Sequence, residues 1–285
     1  MKLEQLEKII NKHDLAVIAC SFGRDSMVVL DMVSKVCRKI NKPFKIIWND
    51  TGVEYPEQYK FNKKVIEQYK LEKNLIIAKS QEWTFWKIKD TYGMPIAPRD
   101  SRNREMQQAT QSCCNYLKKK PTKEVLKEFK DINYVYLTGL TANESMNRRA
   151  SAKRYGDYFY SKSWKHYKCH PILWWSDEEI DNYITENKVP LCEIYKWNEI
   201  EGYKIRNGCW CCPQAWKFGK GKWIKRYYPE LYKFLITKTE LGEYILTEKL
   251  GIDKDVYQLS LLDDNLKEKV LHTFELRPCF FEDLK

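Results

Sequence analysis

The chain has 285 residues, a formal net charge of +11 and a pI near 9.0, with 43% hydrophobic and 14% aromatic residues. That length allows one large domain or one domain with an appendage, and the apolar content is that of a globular protein. No apolar run reaches roughly 18 residues and the N-terminal MKLEQLEKIINKHD lacks a signal-peptide core, so the expectation is a cytoplasmic protein that does not enter a membrane. Ten cysteines in a reducing compartment point to metal or redox chemistry before disulfides, and the basic charge suits an anionic partner.

Residues 1–14 read as an amphipathic lead-in helix with Leu3, Leu6, Ile9 and Ile10 at helical spacing. The apolar run Leu15 to Cys20 then reads as a buried parallel strand. It turns through Ser21, Phe22, Gly23, Arg24, Asp25 and Ser26 into a helix that buries Val28, Val29, Leu30, Met32 and Val33. A strand feeding a helix in this way aims backbone N–H groups, hydroxyls and a helix dipole at one point, which describes a phosphate site. The turn resembles the PP-loop of N-type ATP pyrophosphatases, SGGxDS, and more closely its SFGxDS-like variant in the phosphoadenylyl sulfate (PAPS) reductase family. Ser21, Gly23, Asp25 and Ser26 match, and Phe22 stands where the first glycine would be.

Phe44 to Trp48 is the second expected strand, Glu57 to Tyr69 a helix, and Leu75 to Ala78 the third strand. This alternation predicts an α/β protein with a doubly wound, mostly parallel sheet and a C-terminal helical appendage. Ligands of such sheets sit beyond the carboxyl ends of the strands, which brings Asp50 and Thr51 to the same edge as Ser21 to Ser26. WNDTGVEYPE resembles the family's second signature, by which Asp50 and Thr51 help to hold the nucleotide. Residues 81–105 are less regular and carry Arg99, Arg102 and Arg104, as a substrate-facing loop or a surface crossover.

Cys113 and Cys114 are adjacent and so poorly placed to pair with each other, but they can bind different iron atoms of one cluster. CCNYLKKKP resembles the CCxxxKxxP element of adenylyl sulfate reductases, with Lys118 and Pro121 in register. The resemblance implies a four-iron four-sulfur cluster. A helix at Lys123 to Lys130 and a strand at Tyr134 to Thr138 follow, then TGLTANESMNRRAS, which resembles the family's arginine loop. Through it Gly139, Arg148 and Arg149 would receive the anionic end of the substrate, since an arginine fork matches phosphate or sulfate oxygens. Thr141 departs from the family, which often has arginine there.

Residues 153–170 interleave Lys153, Arg154, Lys162, Lys165 and Lys168 with tyrosines, Phe159 and Trp164, a pattern that can grip a nucleic-acid backbone and stack bases. HPILWWSDEEIDNYITENKVPLCEIY resembles another family segment, with Ser176 and Glu179 as a capping box. The CxxC turn Cys209 to Cys212 can serve zinc or an iron-sulfur cluster. With Cys113 and Cys114 it completes the family's CC…CxxC pattern, so Cys113, Cys114, Cys209 and Cys212 are the expected cluster ligands, with Cys211 and Cys192 in reserve.

The resemblance divides the chain into a PP-loop nucleotide-binding catalytic domain, residues 1–205, and a cysteine loop with helical region, residues 206–285, packed on it. Its implied cofactors are the four-iron four-sulfur cluster and ATP, or adenylyl sulfate or PAPS in its place, with magnesium as a candidate. Candidate partners are tRNA or DNA and a sulfur-donor or reductant protein, and a homodimer is a candidate assembly. One reading is an ATP-dependent sulfur transferase that adenylylates a nucleic-acid or small-molecule oxygen. A second is a reductase releasing sulfite, which needs a mobile thiol. Cys279 stands near the family's position for one, but in ELRPCFF and not in a Glu-Cys-Gly-(Leu/Ile)-His tail. A third is a non-catalytic, cluster-bearing nucleic-acid-binding module. Asp25, Arg148 and Cys279 are the expected catalytic residues.

Overall fold

The computed structural model describes residues 1–93, 111–201, 205–212 and 220–237. Arg99, Arg102, Arg104, Cys279 and the part of the expected helical appendage beyond residue 237 lie outside them.

One compact unit comprises Met1–Gln81 and Tyr116–Glu193. It is built on β1 (Leu15–Ala19), β2 (Phe44–Asn49), β3 (Leu75–Ala78), β4 (Tyr134–Thr138), β5 (Tyr158–Ser161) and β6 (His166–Cys169), in the order β3-β2-β1-β4-β6-β5. Every pairing is parallel except β5 with β6. The doubly wound sheet therefore stands as expected, closed at one side by an antiparallel edge strand. β1 is central and carries apolar side chains on both faces, because helices cover each. On one face Leu15, Val17, Ile47, Ala78, Tyr134 and Tyr136 pack with Leu126 and Phe129.

Helices α1 (Leu3–Asn11), α2 (Arg24–Lys39) and α3 (Pro56–Gln68) belong to this unit. α2 is buried along Met27–Val33 and again at Val36 and Cys37, a wider apolar face than the five positions named from sequence. The helix Asp177–Glu186 begins with the expected capping box: Ser176 accepts from the Glu179 N–H while Glu179 accepts from the Ser176 N–H. Before the helix Lys120–Lys127 the chain makes a π-helical turn, Asn115–Lys119. Pro121 has no N–H and its ring crowds the carbonyl four residues back, which widens the preceding turn.

The second unit comprises Glu82–Asn115 and Ile194–Lys285. The sequence placed a single boundary at 205/206, whereas this division groups residues 82–115 with the C-terminal part. α4 (Phe85–Tyr92) explains the grouping, since Phe85 meets Trp210 and Trp86 meets both Trp210 and Phe234 edge-on or tilted. Trp197 stacks on Tyr227 at 4.6 Å and 6°, joining the helix that starts at Glu193 to the helix Lys220–Tyr227. No helix among the described residues is long and apolar enough to cross a membrane.

Candidate nucleotide seat and cysteine loop

The turn between β1 and α2 is folded tightly upon itself. Ser26 Oγ donates to the Gly23 carbonyl at 2.9 Å and lies 3.2 Å from Ser21 Oγ, so both hydroxyls converge before the first turn of α2. Gly23 is the N-cap and contributes no side-chain acceptor. The partial positive charge of a 16-residue helix is thus directed at a spot flanked by two hydroxyls, an arrangement that favours a phosphate oxygen. Beneath the turn the Cys20 thiol is pushed up to about 11 by burial, against the N–H of Phe22 and the Ser26 hydroxyl.

Phe22 adopts φ 54°, the left-handed region a glycine would enter freely. A non-glycine residue there costs about 1–2 kcal/mol. The cost is offset because the ring is fully buried and meets Trp48 of β2 edge-on at 6.0 Å. The phenylalanine in this loop is therefore a core residue holding the turn against the sheet.

Gly139, just past β4, reaches the same spot. A Cβ there would stand 2.7 Å from the Asp25 carbonyl oxygen and 2.9 Å from the Ser26 nitrogen. The glycine is required for close backbone approach, since no left-handed conformation is recorded for it.

Past β2, Asp50 accepts from Lys79 Nζ at 2.7 Å, from the Tyr59 hydroxyl at 2.8 Å and from the Gly52 N–H at 3.0 Å. Burial raises its carboxyl, yet these donors outweigh burial and hold it below the usual carboxylate range. Thr51 donates to Glu54, and Tyr59 also reaches Glu54 at 3.0 Å. Glu54 and Tyr59 thus brace the Asp50–Thr51 pair. Sequence reasoning did not single out Lys79; its place immediately after β3, at the same carboxyl edge as Asp50, is the signal that would have found it.

Arg24 is turned to a neighbouring helix. Its guanidinium bonds the Asp177 carboxylate at 2.9 Å and Asp181 at 2.7 Å, and lies 3.5 Å from Asp25. Burial alone would lower its pKa, but the two aspartates raise it.

In the arginine loop Ser145 caps the helix Met146–Tyr155 through the Arg148 N–H, Arg148 pairs with Glu144, and Arg149 donates to Asn143 at 2.7 Å. Thr141 is buried. A cavity of about 180 Å³ lies beneath this helix, lined by Leu140, Asn147, Arg148, Ser151, Phe159 and His170 among others. His170 Nδ1 bonds Thr138 Oγ1 at 2.7 Å. Burial, then Lys168 and Arg148, lower its pKa to about 4, so it is neutral at neutral pH. His170 stands just past β6 and continues the alternation of His166 and Lys168, which marks it as a residue facing one side of the sheet.

The expected cluster cysteines all fall in the second unit. Cys113 and Cys114 lie in helical turns leading to the π-helical turn, and Cys209 and Cys212 bracket a tight turn in which the Cys212 N–H bonds the Cys209 carbonyl at 3.2 Å. Lys220 Nζ fastens that turn, donating to the carbonyls of Cys209 at 2.7 Å and Cys212 at 3.2 Å. All four thiols are partly accessible, whereas Cys211 is buried. Its pKa is raised well above the ordinary value by burial, then by the charges of Cys209 and Cys113, which places sulfurs of both motifs in one electrostatic neighbourhood. No three His, Cys, Asp or Glu side chains among the described residues are arranged to hold a single metal ion. A cubane asks for something different, one thiolate on each of four irons, and this donor set fits it in kind and number. Cys192 is buried in the sheet-bearing unit.

Comparison with known proteins bears on these arrangements. A model of the phosphoadenosine phosphosulfate reductase domain matches residues 15–215. An adenosine 5′-phosphosulfate reductase of Bacillus pumilus is 29% identical over 217 residues, 74% of this chain and 80% of that protein. An uncharacterised protein of Methanocaldococcus jannaschii is 28% identical over 223 residues, 78% of this chain but 47% of that protein. Among solved structures, a phosphate complex of PAPS reductase from Candida auris shares the fold, with a TM-score of 0.50 at 22% identity over 73% of this chain and 94% of that one.

Proposed function

This chain belongs to the phosphoadenosine phosphosulfate reductase family, and from that premise we propose that it is an adenine-nucleotide enzyme using ATP to activate an oxygen of a nucleic acid for replacement by sulfur. The seat of Ser21, Gly23, Ser26 and Gly139 would hold the phosphates, with the Asp50–Thr51 pair at the neighbouring strand end. The acceptor oxygen attacks the α-phosphorus of ATP, forming an O–P bond and releasing pyrophosphate. A sulfur nucleophile from a donor protein then displaces AMP, which carries that oxygen away. Arg148, on the rim of the neighbouring cavity, is suited to steady negative charge on the transferred phosphate once it leaves Glu144.

Cys113, Cys114, Cys209 and Cys212 would hold a four-iron four-sulfur cluster, which supplies sulfur handling or electrons when bound. The observation that carries the choice of ATP over a sulfonucleotide is Thr141: the residue standing where the reductase loop often has arginine is neutral and buried, which removes a sulfate ligand.

Sulfonucleotide reduction is the second reading, favoured by the relatives named adenosine 5′-phosphosulfate reductase. Anaerobic reconstitution with iron and sulfide, followed by parallel assays, separates the two. AMP and pyrophosphate formed from ATP only when nucleic acid is added supports the transferase; sulfite released from adenylyl sulfate without nucleic acid overturns it in favour of the reductase.

A further inference from the structure

On one face of β6 the side chains of His166 and Lys168, followed by His170, fall at every second residue. All three carry nitrogen, and the charged groups acting on them are cations. Lys168 acts on both histidines, Arg148 acts on His170, and Lys123 acts on Lys168. Lys123 and Lys168 converge on one indole, with their ammonium groups 5.1 and 4.5 Å from the Trp164 ring centroid, and Trp164 in turn stacks on Tyr136 at 14°. Neither lysine has a carboxylate partner among the described residues, and the neighbouring Glu124 pairs with Lys127. Two like charges held together at a half-buried place are costly unless an anion joins them.

This file of nitrogen-bearing side chains leads toward the Arg148–His170 cavity. Phe159 stands opposite Lys168 in the β5–β6 register and lines that cavity too. Apolar walls from Leu140, Phe159 and Leu173 beside the polar groups of Asn147, Ser151 and His170 suit a flat heteroaromatic ring with hydrogen-bonding edges.

We propose that a single-stranded nucleic acid lies along this face, with its phosphates on Lys123 and Lys168 and one base inserted into the Arg148–His170 cavity. The inference rests on the transferase reading and assigns the path of its acceptor. Trp164 acts as the fixed support that holds both lysines in place.

Fluorescence anisotropy of the full chain with a labelled single-stranded RNA of about twelve nucleotides, and the matching DNA, tests it across a salt series. Lys123→Gln with Lys168→Gln should weaken binding at least about tenfold at low salt and reduce the salt slope by about 1.4, two phosphate contacts' worth. Ser151→Trp, which fills the cavity from an exposed helix position, should weaken the base-bearing strand but not an abasic strand of equal length. ATP affinity, measured alongside, should be unchanged in the lysine variant.

Unaltered affinity and salt slope in the lysine variant overturn the proposed path. If AMP formation still depends on the oligonucleotide in that case, the transferase reading survives and the path alone fails. If the unmodified chain binds no strand and releases sulfite from adenylyl sulfate, both fail.

Discussion

Gly139 lies against Asp25 so closely that one methyl group placed on it would stand 2.7 Å from the Asp25 carbonyl oxygen. Both elements are anchored, Gly139 by β4 and Asp25 by α2, and the obstructing atom is backbone, so little can yield. Gly139→Ala should separate the two loops, lower the melting temperature by the equivalent of about 1–3 kcal/mol, and weaken ATP at least about tenfold. Calorimetric titration with ATP beside a thermal melt checks this. Unchanged affinity would show that the contact has no part in the seat.

Phe22 sets a gain in backbone conformation against a loss of burial. Phe22→Gly relieves the positive φ, worth about 1–2 kcal/mol, but empties a buried aromatic site whose truncation typically costs about 3–5 kcal/mol. The variant should be net destabilised by roughly 1–4 kcal/mol in urea unfolding. A stabilised variant would mean that the ring contributes little to holding the turn on the sheet.

His166 and His170 make stability depend on acidity. Both have folded pKa values near 4 against the ordinary 6.5, through burial and then neighbouring cations. The unfolded chain therefore takes up protons that the folded chain refuses. The associated stability is fully present above pH 6.5 and is lost as pH falls from 6.5 toward 4, by on the order of 3 kcal/mol per histidine at most. Urea midpoints measured through this window should fall with pH. Substituting both histidines with Gln should flatten the profile.

The cysteine assignment is open to a direct count. Single Ser substitutions of Cys113, Cys114, Cys209 and Cys212 should each lower iron and acid-labile sulfide per chain after anaerobic reconstitution. Cys192→Ser, in the other unit, should leave both unchanged. Loss of iron with Cys192→Ser and its retention with Cys113→Ser would require a different ligand set.

Much of the sheet was legible because β1, β2 and β4 are short apolar runs buried on both faces, and the loops at their carboxyl ends follow from the doubly wound order. β5 and β6 were not announced as strands, since Tyr-Phe-Tyr-Ser and His-Tyr-Lys-Cys carry polar groups on an edge hairpin and lack an apolar alternation. The helix expected from Lys123 begins at Lys120, because Pro121 is tolerated in a first turn. Local sequence likewise gave no sign that the Arg24 guanidinium meets Asp177 and Asp181, more than 150 residues away. The grouping of residues 82–115 with the C-terminal part goes with aromatic contacts that are likewise remote in sequence.

α2 is joined to the helix Asp177–Glu186 at three levels: Arg24 to Asp177 and Asp181, Asp31 to the Tyr183 hydroxyl at 2.8 Å, and Lys35 to Asn187 at 3.0 Å. The rungs span eleven residues, about 16 Å along the helix axis, and Asp31 also receives the Tyr69 hydroxyl at 3.2 Å. A rod pinned at its first residue, in its middle and one turn before its last is held against both sliding and rolling. The end of α2 at the Ser21–Ser26 turn is in this sense an anvil, and in the proposed reaction any travel that accompanies substrate entry or product departure falls to the loops around it.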